Sequence, residues 1–259
     1  MLKFISILIG LVVQWESSTS LTDNVELDEF QNVYVHDATT LEKFDKSGTH
    51  HFTFSTLRSG ELTSLDVTNP LRLVLYFGEN NEVLFLDNTL TEQGKTLNLN
   101  HLEYYDVGLV CSSFQNHLWV YRIAEQKLVR LSRNGEVTNE TGNLALWLDR
   151  SNEERFFLLK ETGNYLYLFS DSGLVMVFDH YGTFIRKIDL GVFNQVHVME
   201  KFIFIKRNSN VYSMNVELID EQLLYEIPEA YLNAQAIDFS AASLAVVMNT
   251  KVQLLKVSK

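Results

Sequence analysis

A unit of strand, tight turn and strand recurs down this chain, and its period constrains the fold more than any other feature. The clearest copy runs Leu174-Val175-Met176-Val177-Phe178, turns at Asp179-His180-Tyr181-Gly182, and resumes Thr183-Phe184-Ile185-Arg186-Lys187-Ile188. The last apolar residues of successive third strands are Phe44, Leu86, Leu131, Phe178, Met214 and Leu255, spaced 42, 45, 47, 36 and 41 residues apart. A four-strand unit of roughly 40 residues is the period of propeller blades. Phe44-Asp45-Lys46-Ser47-Gly48 and Leu131-Ser132-Arg133-Asn134-Gly135 repeat the turn spelling of Phe178 to Gly182. Glycine stands where the chain needs positive φ to enter the fourth strand.

Six copies predict an all-β chain folded as a β-propeller of six four-stranded blades. The alternatives are five or seven blades, or a stacked pair of β-sandwiches. The apolar runs between turns are too short for helices and mostly alternate with period two. Residues 143–154 are the one stretch that reads as a short helix or long loop. The last copy is one strand short at Lys259. The region Trp15 to Phe30 precedes the first recognisable strand and is expected to supply the missing one, so that both termini close the ring. Apolar residues make up 46% of the 259 positions and only 2 are proline, with no Pro-, Ser- or Gly-rich linker. A single domain over 17–259 follows.

Residues 1–16 read as a secretory leader. Met1-Leu2-Lys3 is cationic, Phe4 to Val13 is apolar and uncharged, and a polar Ser/Thr-rich stretch follows. The apolar run is about half of the ~20 residues a membrane helix needs. The competing reading makes Phe4–Val13 a buried strand. The expected location is therefore outside the cytoplasm, in the periplasm or cell envelope, with no transmembrane span in the mature chain. A net charge of −12 disfavours nucleic acid and anionic lipid as partners. The single cysteine, Cys111, allows no internal disulfide and reads as a buried apolar residue.

Propeller sites lie at the mouth of the central channel. The expected innermost strands are Leu62–Val67, Leu109–Ser113, Phe156–Lys160, Val196–Met199 and Ala236–Phe239. They carry Asp66, Cys111, Lys160, His197 and Asp238. Asp66, His197 and Asp238 are the candidate metal ligands, an O/N set that suits calcium or zinc. Three ligands are fewer than such sites usually gather. The plainer expectation is that the carboxylates accept loop backbone N–H groups and His197 is a satisfied strand residue. His50 and His51 are adjacent on a strand and point to opposite faces, so they cannot share an ion. Asp179-His180-Tyr181 reads as a turn. Glu103-Tyr104-Tyr105 is either an exposed aromatic patch or packed under a loop. No nucleophile elbow, zincin, Walker or Rossmann spacing is present, so no catalytic residue and no cofactor is assigned.

Tyr165-Leu166-Tyr167-Leu168-Phe169 through Phe178-Asp179 to Gly182-Thr183-Phe184 resembles an NHL-type blade. Val33-Tyr34-Val35-His36-Asp37 with Leu41 to Gly48 is a second match. The segment Leu62 to Tyr76, with Val83 to Leu90, resembles a family of uncharacterised exported bacterial proteins. That resemblance implies a propeller in the cell envelope and no particular activity. The expected function is a monomeric, non-catalytic binding or scaffold module that offers one propeller face to a protein or envelope component. The alternative is a propeller hydrolase or lyase with a cation at the central channel.

Overall fold

The computed structural model describes residues 10–57, 60–148 and 154–258. Its strands form six four-stranded antiparallel sheets. In five of them the four strands follow in chain order, beginning with the innermost at Asn24–Leu27, Ser64–Asp66, Val107–Ser113, Phe156–Thr162 and Gln195–Met199. These are blades 1 to 5. Blade 6 is built from Ala236–Phe239, Ser243–Met248 and Lys251–Val257, and its outer strand is Leu11–Ser18 from the other end of the chain. The six-bladed propeller expected from the period is the fold observed, closed by both termini. All six residues used to count the period lie in third strands.

The closing strand begins four residues earlier than Trp15. Leu11 pairs with Val257 and Ser18 with Lys251, with a bulge between Val13 and Trp15. The bulge turns Trp15 inward, where it stacks on Phe44 of blade 1 with ring centroids 6.2 Å apart. Residues 1–9 of the expected leader lie outside the described residues, while Leu11 to Glu16 belong to this strand. Leader and closing strand therefore draw on the same stretch.

Each blade packs its sheet against the next, so the core is six inter-blade layers. Tyr34 and Leu41 of blade 1 share a cluster with Leu73, Leu75 and Phe77 of blade 2. Cys111, Trp119 and Leu128 of blade 3 share one with Leu166, Leu168 and Met176 of blade 4. Central strands are buried on both faces, which is why Leu73–Phe77 is a continuous apolar run and not an alternating one. Each fully buried large side chain contributes roughly 1.5–3 kcal/mol.

The shared turn spelling has a physical cause. The Asp179 carboxylate accepts the backbone N–H groups of Tyr181 and Thr183 at 2.9 and 2.8 Å. Asp45 does the same for Ser47 and Thr49, Asp87 for Thr89 and Thr91, and the Ser132 hydroxyl for Asn134 and Glu136. Gly182 then takes φ +87°, and a Cβ there would stand 2.9 Å from the Trp119 ring. Both the backbone and the neighbouring blade require glycine. Residues 143–148 contain one short turn, Leu144–Leu146, and no longer helix. No helix among the described residues is long and apolar enough to cross a membrane.

Candidate functional site at the central channel

Antiparallel blades send two sets of turns to each face. Turns joining first to second and third to fourth strands emerge on one face. Turns joining second to third strands, and crossovers to the next blade, emerge on the other. The first face holds a recess of about 370 Å³ at the channel mouth. Leu27, Val67, Val198 and Met199 supply its apolar wall, with Gln31, Thr68, Thr162, Glu200 and Ser240 as polar edges and Lys160 and His197 toward its floor. Phe30 and Leu71, in the same set of turns, are exposed.

A second recess, of about 70 Å³, is lined by Glu26, Ser64, Asp66, Leu109 and Phe157, again with Lys160. Lys160 thus separates the two. Its ammonium is 3.8 Å from an Asp66 carboxylate oxygen. Burial alone would lower the Lys160 pKa, but the charges of Asp66, Glu26 and Asp238 raise it above its ordinary value. Burial likewise pushes the Asp66 carboxyl up. Lys160 and the donors Thr68 and Ser112 outweigh it, so Asp66 ends below the usual carboxylate range.

The three candidate metal ligands lie on innermost strands, as expected, and two of them meet. His197 Nδ1 and Asp238 Oδ1 are 3.0 Å apart. The other Asp238 oxygen accepts the N–H of Leu27, in blade 1, at 2.7 Å. Asp66 is engaged elsewhere: it accepts Ser112 N–H and O–H at 2.8 and 2.7 Å, across to blade 3, and Thr68 N–H at 2.9 Å. Among the described residues no group of three or more His, Cys, Asp and Glu side chains is placed to hold a metal ion. The carboxylates act as stitches between inner strands, where a strand edge would otherwise leave donors unpaired.

Two acidic residues of this layer were not singled out in the sequence. Glu161 accepts Ser113 O–H at 2.6 Å, Phe114 N–H at 3.0 Å and Trp119 Nε1–H at 2.6 Å, all from blade 3. Glu26 comes from the innermost strand of blade 1, inside the region assigned to ring closure. Burial and the nearby Asp238 charge push its pKa up to about 8, against the opposing pull of Lys160. Folded Glu26 therefore keeps a proton that the unfolded chain releases near pH 4.5. Its contribution to stability is fully present below that value and is lost as pH rises through the folded pKa. Glu26→Gln is expected to raise stability at pH 9 relative to pH 5, by roughly 2–4 kcal/mol. Urea unfolding of both proteins at the two pH values checks this. An unchanged pH dependence would place Glu26 in solvent.

The remaining sequence candidates resolve locally. Cys111 is buried. His51 pairs with Asp45 at 2.9 Å, and His50 lies against Phe44. Tyr104 packs under the Arg122 guanidinium, whereas Tyr105 is exposed. Asp179-His180-Tyr181 is the turn described above, with His180 and Tyr181 both against Phe114 of blade 3.

No protein-family model and no curated protein sequence matches the chain. Solved structures do. Virginiamycin B lyase from Staphylococcus aureus aligns with a TM-score of 0.59 at 9% identity, covering 95% of this chain and 99% of that one. The Neurospora crassa Pan2 WD40 domain gives 0.63 at 10%, covering 96% of each chain. BamB from Moraxella catarrhalis gives 0.51 at 7%, covering 95% and 100%. The likeness is one of fold. At such identities a lyase, a WD40 domain and BamB are equally compatible with it, because propellers host unrelated functions.

Proposed function

We propose that this protein is a non-catalytic binding module of the bacterial cell envelope, holding a protein or envelope component at the channel-mouth face. The carrying feature is the recess of about 370 Å³. It is concave, apolar on its walls, edged by a few polar groups and bordered by exposed Phe30, between the lining residues Glu29 and Gln31. Such a surface suits an inserted side chain or loop with a polar rim around it. Asp66, Glu161 and Asp238 beneath it are engaged in inter-blade hydrogen bonds and, for Asp66, an ion pair with Lys160. They are poorly placed to act as a general acid, a base or a nucleophile. The NHL-like blades and the resemblance to exported envelope proteins support the same reading. We infer that it acts as a monomer.

Export is part of this proposal. It rests on Met1-Leu2-Lys3 and the apolar run behind it. Cleavage at residue 16 would remove Leu11–Glu16 from the closing strand, so export and ring closure together require the leader to end before Leu11. An intact Met1 on protein recovered from the native source would remove the export reading.

Ala241 is exposed and lines the recess, so Ala241→Trp fills it without touching the core. Capture from envelope fractions is expected to lose its specific partner with Ala241→Trp and keep it with Val192→Ser, on the opposite face, where Val192 is 89% exposed. The same partner recovered at equal yield with Ala241→Trp would refute the recess as the contact. The channel-cation reading would require Asp66, His197 and Asp238 to converge. Its signature is stoichiometric calcium or zinc that is lost in the Asp66→Ala/Asp238→Ala double variant.

A further inference from the structure

Two arginines on the channel-mouth face have no acidic partner among the described residues, although the chain carries 33 acidic residues against 21 basic ones. Arg72 ends the first turn of blade 2 and is 6% exposed. Its guanidinium lies 3.9 Å from the centroid of the Phe85 ring, and its Nη2 has no hydrogen-bond partner. Arg133 sits in the Ser132–Glu136 turn of blade 3 and is exposed. Its guanidinium lies against Gly94, whose neighbour Gln93 donates its N–H to the Phe85 carbonyl at 2.7 Å, and Arg72 lies on the Phe85 ring, so both cations border the same residue. Burial, and then Arg133, push the Arg72 pKa down to about 10. Neither guanidinium has an ion pair among the described residues.

A buried, unpaired guanidinium beside a second cation is costly. The Phe85 contact offsets about 2 kcal/mol of that. A Cβ on Gly94 would stand 2.6 Å from Arg133 Nη2, so the guanidinium lies directly on the loop backbone, where a φ of +79° itself favours glycine. Arg133 is long, exposed and without a hydrogen bond among the described residues, so its side chain can move to let a ligand reach the N–H edges of both guanidinium groups.

We propose that Arg72 and Arg133, at the junction of blades 2 and 3, form a binding site for a phosphate group. Two guanidinium forks present donors in the planar geometry that phosphate oxygens accept, and a charge near −2 removes the repulsion between them. The site is separate from the recess and does not depend on the binding-module reading.

The test is calorimetric titration with inorganic phosphate at constant ionic strength, with chloride as the control anion. Wild-type protein is expected to bind phosphate saturably. Arg133→Gln, at an exposed position that leaves the fold intact, should weaken binding at least 10-fold, the loss of one charge-assisted pair. Arg72→Met, which keeps the contact with Phe85, should abolish it. Tighter binding of glycerol phosphate than of inorganic phosphate would assign the site to a phosphoester on a larger molecule, and weaker binding would assign it to the free ion. Heat no different from chloride in the wild type, or equal affinity in Arg133→Gln, would overturn the proposal.

Discussion

A chain beginning at Ser17 is expected to lose its cooperative unfolding transition, while one beginning at Gly10 keeps it. The difference is the closing strand. Without it, Lys251–Val257 becomes an open edge whose backbone groups have lost the register from Leu11–Val257 to Ser18–Lys251. Trp15 also leaves the layer it shares with Val25, Leu27, Val33 and Phe44 of blade 1 and Ala245 and Val252 of blade 6. Among the described residues, that layer joins the two ends of the chain, so covalent order does not assemble it in sequence. The point variant Trp15→Ala isolates the packing term and should cost about 3–5 kcal/mol. Circular dichroism melts of the two truncations and the variant, with size-exclusion chromatography to detect edge-to-edge association, check the expectation. Equal melting temperatures for the Ser17 and Gly10 chains would mean that blade 6 is stable with three strands.

The second large effect is expected from Lys160→Met. The ammonium separates the two channel recesses and faces Asp66 at 3.8 Å, with Glu26 and Asp238 also within electrostatic reach. Removing it leaves carboxylates enclosed without a cation, which should cost roughly 3–5 kcal/mol at neutral pH. In the wild type the raised Lys160 pKa contributes stability that is present below pH 10 or so and is lost above the folded value. In the variant the carboxylates lose their counter-charge and their pKa values rise, so their protonated forms become the stable ones. The deficit should therefore be widest between about pH 6 and 9 and narrow toward pH 4. Denaturant unfolding of both proteins across that range reads it directly. A pH-independent deficit would point to lost packing of the lysine stem, with no electrostatic role.

The period was legible because the turns are local. Asp45, Asp87 and Asp179 each bind backbone groups two and four residues ahead, so their spelling survives in one dimension. The start of the closing strand was not. Phe4 to Val13 has the composition of a leader, and only pairing with residues some 240 positions away distinguishes a strand from an h-region. The innermost strands were placed well enough to name Asp66, Lys160, His197 and Asp238. Which of these meet depends on how one strand edge is staggered against the next, and that is set by the whole ring. Glu161 was missed for the same reason: its donors lie 42 to 48 residues away in a different blade. Arg72 gave no signal because its neighbours Phe85 and Arg133 come from a later strand of its own blade and a turn of the next.

Partner contact is expected at the channel-mouth face. A photo-crosslinking amino acid placed singly at Phe30, Ala241, Leu57 and Val192 tests it most directly. All four positions are exposed, the first two beside or lining the recess and the last two in crossovers on the opposite face. Illumination in native envelope preparations is predicted to give one common adduct from positions 30 and 241 and none from 57 and 192. Adducts from 57 and 192 alone, or from none of the four, would contradict the account.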